Sequence, residues 1–258
     1  MKVVLFCGGH GMRTGLRIGD AVPKTLQMVG PRPLLWHTMR YYAHYGHKEF
    51  ILCLGDGASH IKDYFLTYQE SASNNFVMRG TSVDLMQSDT CDWSVTFVDT
   101  GLDSSLGERL QRIRPHLGGD RYFLANYADV LTDAPLDQMI TGFHEFGATA
   151  AVMVVKPQQS FHCVEVSENG EIKQITPVAD LSIRENGGYF VFSQEIFDVL
   201  QPGQDLVTGA LQALARDRRL FGYQHHGFWH AADTFKERAD LDAQYNRGDR
   251  PWMVWEDR

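Results

Sequence analysis

Residues 2–13 read KVVLFCGGHGMR, and residues 22–33 read VPKTLQMVGPRP. The apolar run Val3 to Phe6 is broken by Gly8, Gly9 and Gly11; Arg13 follows, and Lys24 comes directly after Pro23. This is the pattern of a buried strand feeding a loop that cradles phosphate. Glycines let backbone N–H groups approach phosphate oxygens and take positive φ at little cost. The stretch Phe6, Cys7, Gly8, Gly9, His10, Gly11, Met12, Arg13 is therefore the expected nucleotide cradle, with Arg13 and Lys24 as cations for a triphosphate. On residues alone, Lys24 also reads as a solvated surface lysine, and Arg13 as the partner of Asp20.

Outward from this stretch, apolar runs alternate with helical patterns. Strands are expected at 3–6, 50–54, 94–98 and 122–125, and helices at 33–45, 60–68 and 137–146. Strand–helix alternation predicts an α/β fold whose mainly parallel sheet has helices on both faces. Ligands of such sheets bind beyond the carboxyl ends of the strands, where the glycine loop and Asp129 both fall. Beyond residue 148 the pattern turns mixed. A strand at 149–155 precedes two runs, 163–166 and 172–175, that flank the hairpin signal Asn169-Gly170. A strand at 189–192, helices at 194–200 and 208–217, a strand at 220–224 and a helix at 234–245 complete the reading. The expected organisation is one Rossmann-like domain, with a nucleotide-binding half at 1–147 and a smaller acceptor-binding half at 148–258. Residues 69–92 are polar and irregular, an excursion or an oligomer contact.

The chain has 258 residues, 43% hydrophobic and 22% charged, and a formal net charge of −8. With no basic run, nucleic acid is excluded as a partner. No apolar stretch approaches the roughly 18 residues of a membrane span. Nothing resembling a signal peptide precedes the first strand, so a cytoplasmic location is expected. The four cysteines form no C-x-x-C pair, and Cys7 and Cys53 lie in apolar runs as buried small hydrophobes.

Two carboxylates stand at loop positions. Asp129 follows a strand, and Asp233 precedes a helix. Each reads as a cap or turn residue, or the two share a Mg²⁺, a hard ion that takes carboxylate and phosphate oxygens. His225 and His226 are adjacent, point to opposite faces of a strand, and do not chelate together. Trp229 is expected in the core. Asn186-Gly187-Gly188 is a turn that presents donors to hydroxyl groups.

Taken in order, these segments resemble the nucleoside-diphosphate-sugar pyrophosphorylases (the sugar nucleotidyltransferases), and within them the glucose-1-phosphate cytidylyltransferases. The family's L-A-G-G-x-G-T-R is matched by Phe6 to Arg13, and its P-K-P lysine by Lys24. V-D-T-G stands intact at Val98 to Gly101, and S-x-x-G-x-R-L is matched by Ser104, Gly107, Arg109 and Leu110. Y-G-D-G corresponds to Tyr127 to Val130, N-G-G-F-F-V to Asn186 to Val191, and G-F-W-x-x-x-D-T to Gly227 to Thr234. The resemblance implies transfer of a nucleotidyl group, CMP for preference, from a nucleoside triphosphate (CTP favoured) to a sugar 1-phosphate, with release of pyrophosphate. It implies Arg13 and Lys24 as catalytic cations, Ser104 and Arg109 near the nucleotide and Asn186, Gly187 and Gly188 near the sugar. It also implies Mg²⁺ on Asp129 and Asp233, and a homo-oligomer.

The departures cluster on the acceptor side. The loop threonine is Met12, and the glycines flanking the metal aspartate are Ala128 and Val130. The family's E-K-P lysine is missing near Ile175-Thr176-Pro177, with Lys173 and Arg184 the nearest cations. The glutamate of W-E-x-E-P-L is missing near Thr208-Gly209-Ala210. An acceptor other than plain glucose 1-phosphate is expected. The same departures support an alternative, a weak or inactive relative that binds nucleotide or nucleotide-sugar as a regulatory or assembly partner. A dinucleotide-dependent oxidoreductase is disfavoured, since Gly-Gly-x-Gly lacks the fingerprint spacing.

Overall fold

Val3–Phe6 forms strand β1, buried at every position. With β2 (Glu49–Leu54), β3 (Ser94–Asp99), β4 (Tyr122–Asn126), β5 (Ala150–Val155), β6 (Glu185–Ser193) and β7 (Leu220–Gln224) it builds a seven-stranded sheet in the order β7-β5-β6-β4-β1-β2-β3. Only β6 runs against its neighbours; it is antiparallel to both β4 and β5, and the other pairings are parallel. The computed structural model describes residues 1–8, 22–158 and 161–256. Gly9, His10, Gly11, Met12, Arg13 and Asp20 of the expected cradle and its surroundings lie outside the described residues.

Alternation along β1 divides the core in two. Val3 and Leu5 pack with Leu35, Met39 and Tyr42 of α1 (Leu34–His44), while α2 (Ala58–Leu66) adds Ile61 and lies on the same face. Val4 and Phe6 pack on the other face with Leu110 and Ile113 of α3 (Leu106–Ile113) and with Leu211 and Leu214. Met139 and Phe143 of α4 (Leu136–Phe146) close the first face. Each such side chain contributes roughly 1.5–3 kcal/mol through burial. The α/β class and the mainly parallel sheet follow the sequence expectation, and strands from both sides of residue 147 share this sheet.

Several elements differ from expectation. Helix α3 was not anticipated, although Ser105 and Glu108 form a full capping box and Leu106, Leu110 and Ile113 recur at helical spacing. The expected helix at 194–200 is one turn, Ile196–Val199. The expected helix at 208–217 starts as a wide turn over Leu206–Leu211, capped by Asp205, and becomes regular only at Gln212–Arg216. The polar excursion carries a short helix, Glu70–Ser73, and a hairpin, Phe76–Arg79 with Ser82–Leu85. Phe76, Met78, Val83 and Leu85 share one face of that hairpin, all exposed. The hairpin at 169–170 forms as expected, with Gly170 at φ 86°, and pairs His162–Val166 with Ile172–Pro177. Its Val164, Val166, Ile172 and Ile175 are also exposed. Cys7 and Cys53 are buried and unbridged, and burial pushes the Cys53 thiol up to about 12. Among the described residues no helix is long and apolar enough to cross a membrane.

His37, on α1, is 1% exposed and donates from Nε2 to the Val29 carbonyl at 3.0 Å. Burial pushes its pKa down to about 4 from an ordinary 6.5. Below pH 6.5 the unfolded chain takes up a proton that the folded chain refuses, so stability is lost as pH falls from about 6.5 toward 4. The expected loss is about 3 kcal/mol at full titration. Urea unfolding at stepped pH checks it; His37→Gln, which keeps a donor for Val29, should flatten the slope.

Candidate active site

The site forms where β4 ends. Ala128 follows at φ 63°, the left-handed conformation that the family's glycine would adopt freely and that costs an L-residue roughly 1–2 kcal/mol. Its N–H donates to the Asn126 side chain at 2.6 Å, which holds the turn. Asp129 comes next, and Val130–Thr132 then pairs antiparallel with Trp229–Ala231. The Ala232 N–H reaches the Asp129 carbonyl at 2.9 Å. This short ribbon is what brings Asp233 beside Asp129. Strands of three residues carry too little pattern to be read from sequence, so the ribbon was not anticipated.

Lys24 opens a 3₁₀ turn after Pro23, and its Nζ donates to Asp129 Oδ2 at 2.6 Å and to Asp233 Oδ1. Burial alone would lower the Lys24 pKa, but the two carboxylates outweigh it and raise it. Burial pushes the Asp129 carboxyl up, against the pull of the Lys24 ammonium. Asp233 is not the helix cap that the sequence allowed. Thr234 caps α5 (Phe235–Asn246), in a capping box with Glu237, and Asp233 is left to face Lys24.

Two carboxylates on either side of one cation are a donor set for a hard divalent ion. Mg²⁺ takes one or two carboxylates and fills its remaining positions with phosphate oxygens and water. The Lys24 ammonium stands between the carboxylates where such a cation belongs, so the residues fit Mg²⁺. Among the described residues no group of three His, Cys, Asp or Glu is placed to hold a metal.

Tyr127 and Asp129 line two cavities at once. The first, about 550 Å³, is also lined by Phe6, Gly8, Ser104 and Arg109. Arg109 is 4% exposed, and its five N–H groups are all engaged. Nη1 donates to Thr100 Oγ1 at 2.7 Å and to the Leu54 carbonyl at 3.2 Å. Nη2 donates to the Gly8 carbonyl at 2.8 Å and the Leu102 carbonyl at 3.3 Å, and Nε to the Ser104 carbonyl at 3.1 Å. It clamps Gly8 to the loop after β3 and shapes the wall rather than offering a free donor. The Ser104 hydroxyl accepts from Arg112 at 2.5 Å. A Cβ on Gly8 would collide with the Arg109 guanidinium, so this position needs glycine for close approach. Cys7 lies buried behind it.

The second cavity, about 670 Å³, is lined by Asn186, Trp229, His230, Asp233 and Lys236 among others. Asn186 donates to the Tyr127 hydroxyl at 2.7 Å and accepts from the Gly188 N–H at 2.9 Å. Gly188, at φ 75°, lies against the Tyr127 ring, and the Gly187 carbonyl accepts the Trp229 indole N–H at 2.8 Å. Gly187 and Gly188 are buried supports for these two rings; of the three residues only Asn186 lines the cavity. Trp229 is buried, as expected. His225 is buried, with Nε2 2.9 Å from Asp133 Oδ1. The nearest sequence candidates for an acceptor cation do not reach the cavity. Lys173 is on the exposed hairpin, and Arg184 lines a separate cleft with Val152 and Leu211.

The chain is 35% identical to a probable glucose-1-phosphate cytidylyltransferase of Bacillus subtilis (strain 168), over 257 residues that span 99% of this chain and 100% of that protein. The chain belongs to the glucose-1-phosphate cytidylyltransferase family of sugar nucleotidyltransferases. The glucose-1-phosphate cytidylyltransferase of Salmonella typhi is 31% identical, with 99% of this chain and 100% of that protein covered. No family model matches the chain. Among solved structures, a UDP-glucose pyrophosphorylase complexed with UDP-glucose shares the fold at a TM-score of 0.70 and 19% identity, covering 96% of this chain and 98% of the other. A UTP-bound UGPase from Acinetobacter baumannii shares it at 0.67, with 95% and 92% covered. The protein is an enzyme, a sugar-1-phosphate nucleotidyltransferase of the cytidylyltransferase type. For such an enzyme two cavities that meet at Tyr127 and Asp129 are the natural layout, since two substrates must touch at one phosphorus.

Proposed function

We propose that the enzyme transfers CMP from CTP to a sugar 1-phosphate, forming a CDP-sugar and releasing pyrophosphate. The observation that carries this is the Lys24–Asp129–Asp233 cluster at the junction of the two cavities. An acceptor phosphate oxygen attacks the α-phosphorus, the bond to the β-phosphate bridging oxygen breaks, and pyrophosphate leaves with that electron pair. Such transfer is positioning and charge neutralisation above all. Mg²⁺ held by Asp129 and Asp233 would neutralise phosphate charge when bound. Gly8 receives the nucleotide, together with the Gly9 to Gly11 stretch that lies outside the described residues, and Arg109 fixes the Gly8 carbonyl. Lys24 neutralises charge at the reacting phosphates, and Arg13 orients the leaving pyrophosphate. Asn186, oriented by Tyr127, offers its amide to the sugar.

The preference for CTP is supported by the names of the full-length relatives. The acceptor departs from plain glucose 1-phosphate, because Thr208, Gly209 and Ala210 replace the family's sugar-contacting glutamate segment. The apolar faces of the two exposed hairpins support a homo-oligomer, since an uncovered two-stranded ribbon is marginal in water. Use of a nucleoside triphosphate and a sugar phosphate supports a cytoplasmic location.

The test is pyrophosphate release from a matrix of CTP, UTP, GTP, ATP and dTTP against several sugar 1-phosphates with Mg²⁺. CTP should be used most efficiently, with kcat/KM above about 10⁴ M⁻¹s⁻¹ for the preferred acceptor and at least tenfold lower for glucose 1-phosphate. Preference for another triphosphate refutes the CTP assignment, and equal use of glucose 1-phosphate refutes the altered acceptor.

A further inference from the structure

On the proposed reading the acceptor phosphate enters the second cavity, whose wall is acidic. Asp129, Glu185, Asp233, Glu237 and Asp240 all line it. Lys24 already answers to two of them, and Arg109 has no donor left. A dianion brought near uncompensated carboxylates is repelled by roughly 1–4 kcal/mol per close pair, depending on solvent access. The segment that carries the family's acceptor lysine holds no cation near Thr176, whose hydroxyl instead accepts from Gln174 on the exposed hairpin at 2.8 Å. Among the described residues, one lysine and no arginine line the cavity, and that lysine is Lys236.

Its setting is unusual for a surface lysine. Lys236 is the second residue of the 12-residue helix α5, at the positive end of the helix dipole, where a cation is locally unfavourable. It makes no ion pair among the described residues; Asp240 stands one turn on, but with lysine N-terminal to the acid, the weaker of the two i,i+4 orientations. Thr234 and Glu237 flank it in the capping box, and that box fixes the first turn against the cavity.

We propose that Lys236 is the cation that receives the phosphate of the sugar 1-phosphate, replacing the lysine missing near Thr176. The inference rests on the nucleotidyltransferase reading and names how its acceptor site is charged. Lys236 binds the non-attacking phosphate oxygens from the acceptor side while Lys24 stands on the reacting side. The α5 N-terminus, whose first-turn N–H groups are partial positive charges, adds to the same field.

The experiment uses the full chain with CTP, Mg²⁺ and α-D-glucose 1-phosphate as the probe acceptor, comparing wild type with Lys236→Ala and Lys236→Arg. In Lys236→Ala the KM for glucose 1-phosphate should rise about tenfold to a hundredfold, the worth of a charge-assisted contact. The KM for CTP should stay within twofold and the melting temperature should not fall, since the residue is exposed. Lys236→Arg should recover most of the loss. An unchanged acceptor KM in Lys236→Ala overturns the proposal while the transferase reading stands. A calorimetric titration separates the two further: glucose 1-phosphate should bind wild type and lose affinity in Lys236→Ala, with or without turnover. Binding that depends on Lys236 in a protein without turnover would sink the transferase reading and keep this one; equal binding by both proteins, or none by wild type, overturns it.

Discussion

Asp129→Asn is expected to lower kcat by roughly a hundredfold to a thousandfold while the melting temperature stays at or above that of wild type. The loss follows from removing one of the two carboxylates proposed to hold the charge-neutralising ion, a contribution of several kcal/mol to phosphoryl chemistry. The retained stability follows from the carboxyl's own environment. Burial raises the Asp129 pKa against the pull of Lys24, so its ionised form at neutral pH subtracts from stability. That penalty is absent below the unfolded value near 3.8 and is complete above the folded value. Asparagine removes it, and Lys24 keeps Asp233 as its partner. Steady-state kinetics beside calorimetric melting is the measurement. Full activity in Asp129→Asn removes this residue from the site; a collapse of the fold assigns it to structure.

Arg109→Ala is expected to destabilise the protein by at least about 3 kcal/mol, since it strands several buried acceptors, each costing roughly 1–3 kcal/mol. For a chain of this length that is a fall of about 6–12 °C in Tm. Arg109→Lys should recover little, because an ammonium has three donors and no planar fork with which to span Gly8, Leu54, Thr100, Leu102 and Ser104. Thermal melting of both variants checks this. Recovery by lysine would mean that charge matters here and geometry does not.

The sheet was legible because its strands are long apolar runs bounded by breakers, and the two-sided burial of β1 shows in four successive apolar residues. Helix α3 could have been read from its S-x-x-E box and its 106, 110, 113 spacing. The site was legible in composition but not in assembly. Lys24, Asp129 and Asp233 were each visible as polar residues at apolar boundaries, yet what joins them is a ribbon of three-residue strands between distant segments, and no local pattern records that pairing. Arg109 was visible as a motif position, while its five donors are spent on backbone carbonyls and a threonine that only the fold brings near. Lys236 was hidden for a plainer reason. A lysine on a polar helix carries no signal until the helix end is placed against a cavity.

The ammonium between Asp129 and Asp233 also bears on the charge of the pocket before substrate arrives. One tethered ammonium answers both carboxylates, so the pair stays net negative but repels an incoming polyanion less than two bare carboxylates would. In the proposed reaction an arriving triphosphate would offer the lysine fresh oxygens and free the carboxylates in the same movement. On the proposed reading, charge would thereby be exchanged among partners and not accumulated.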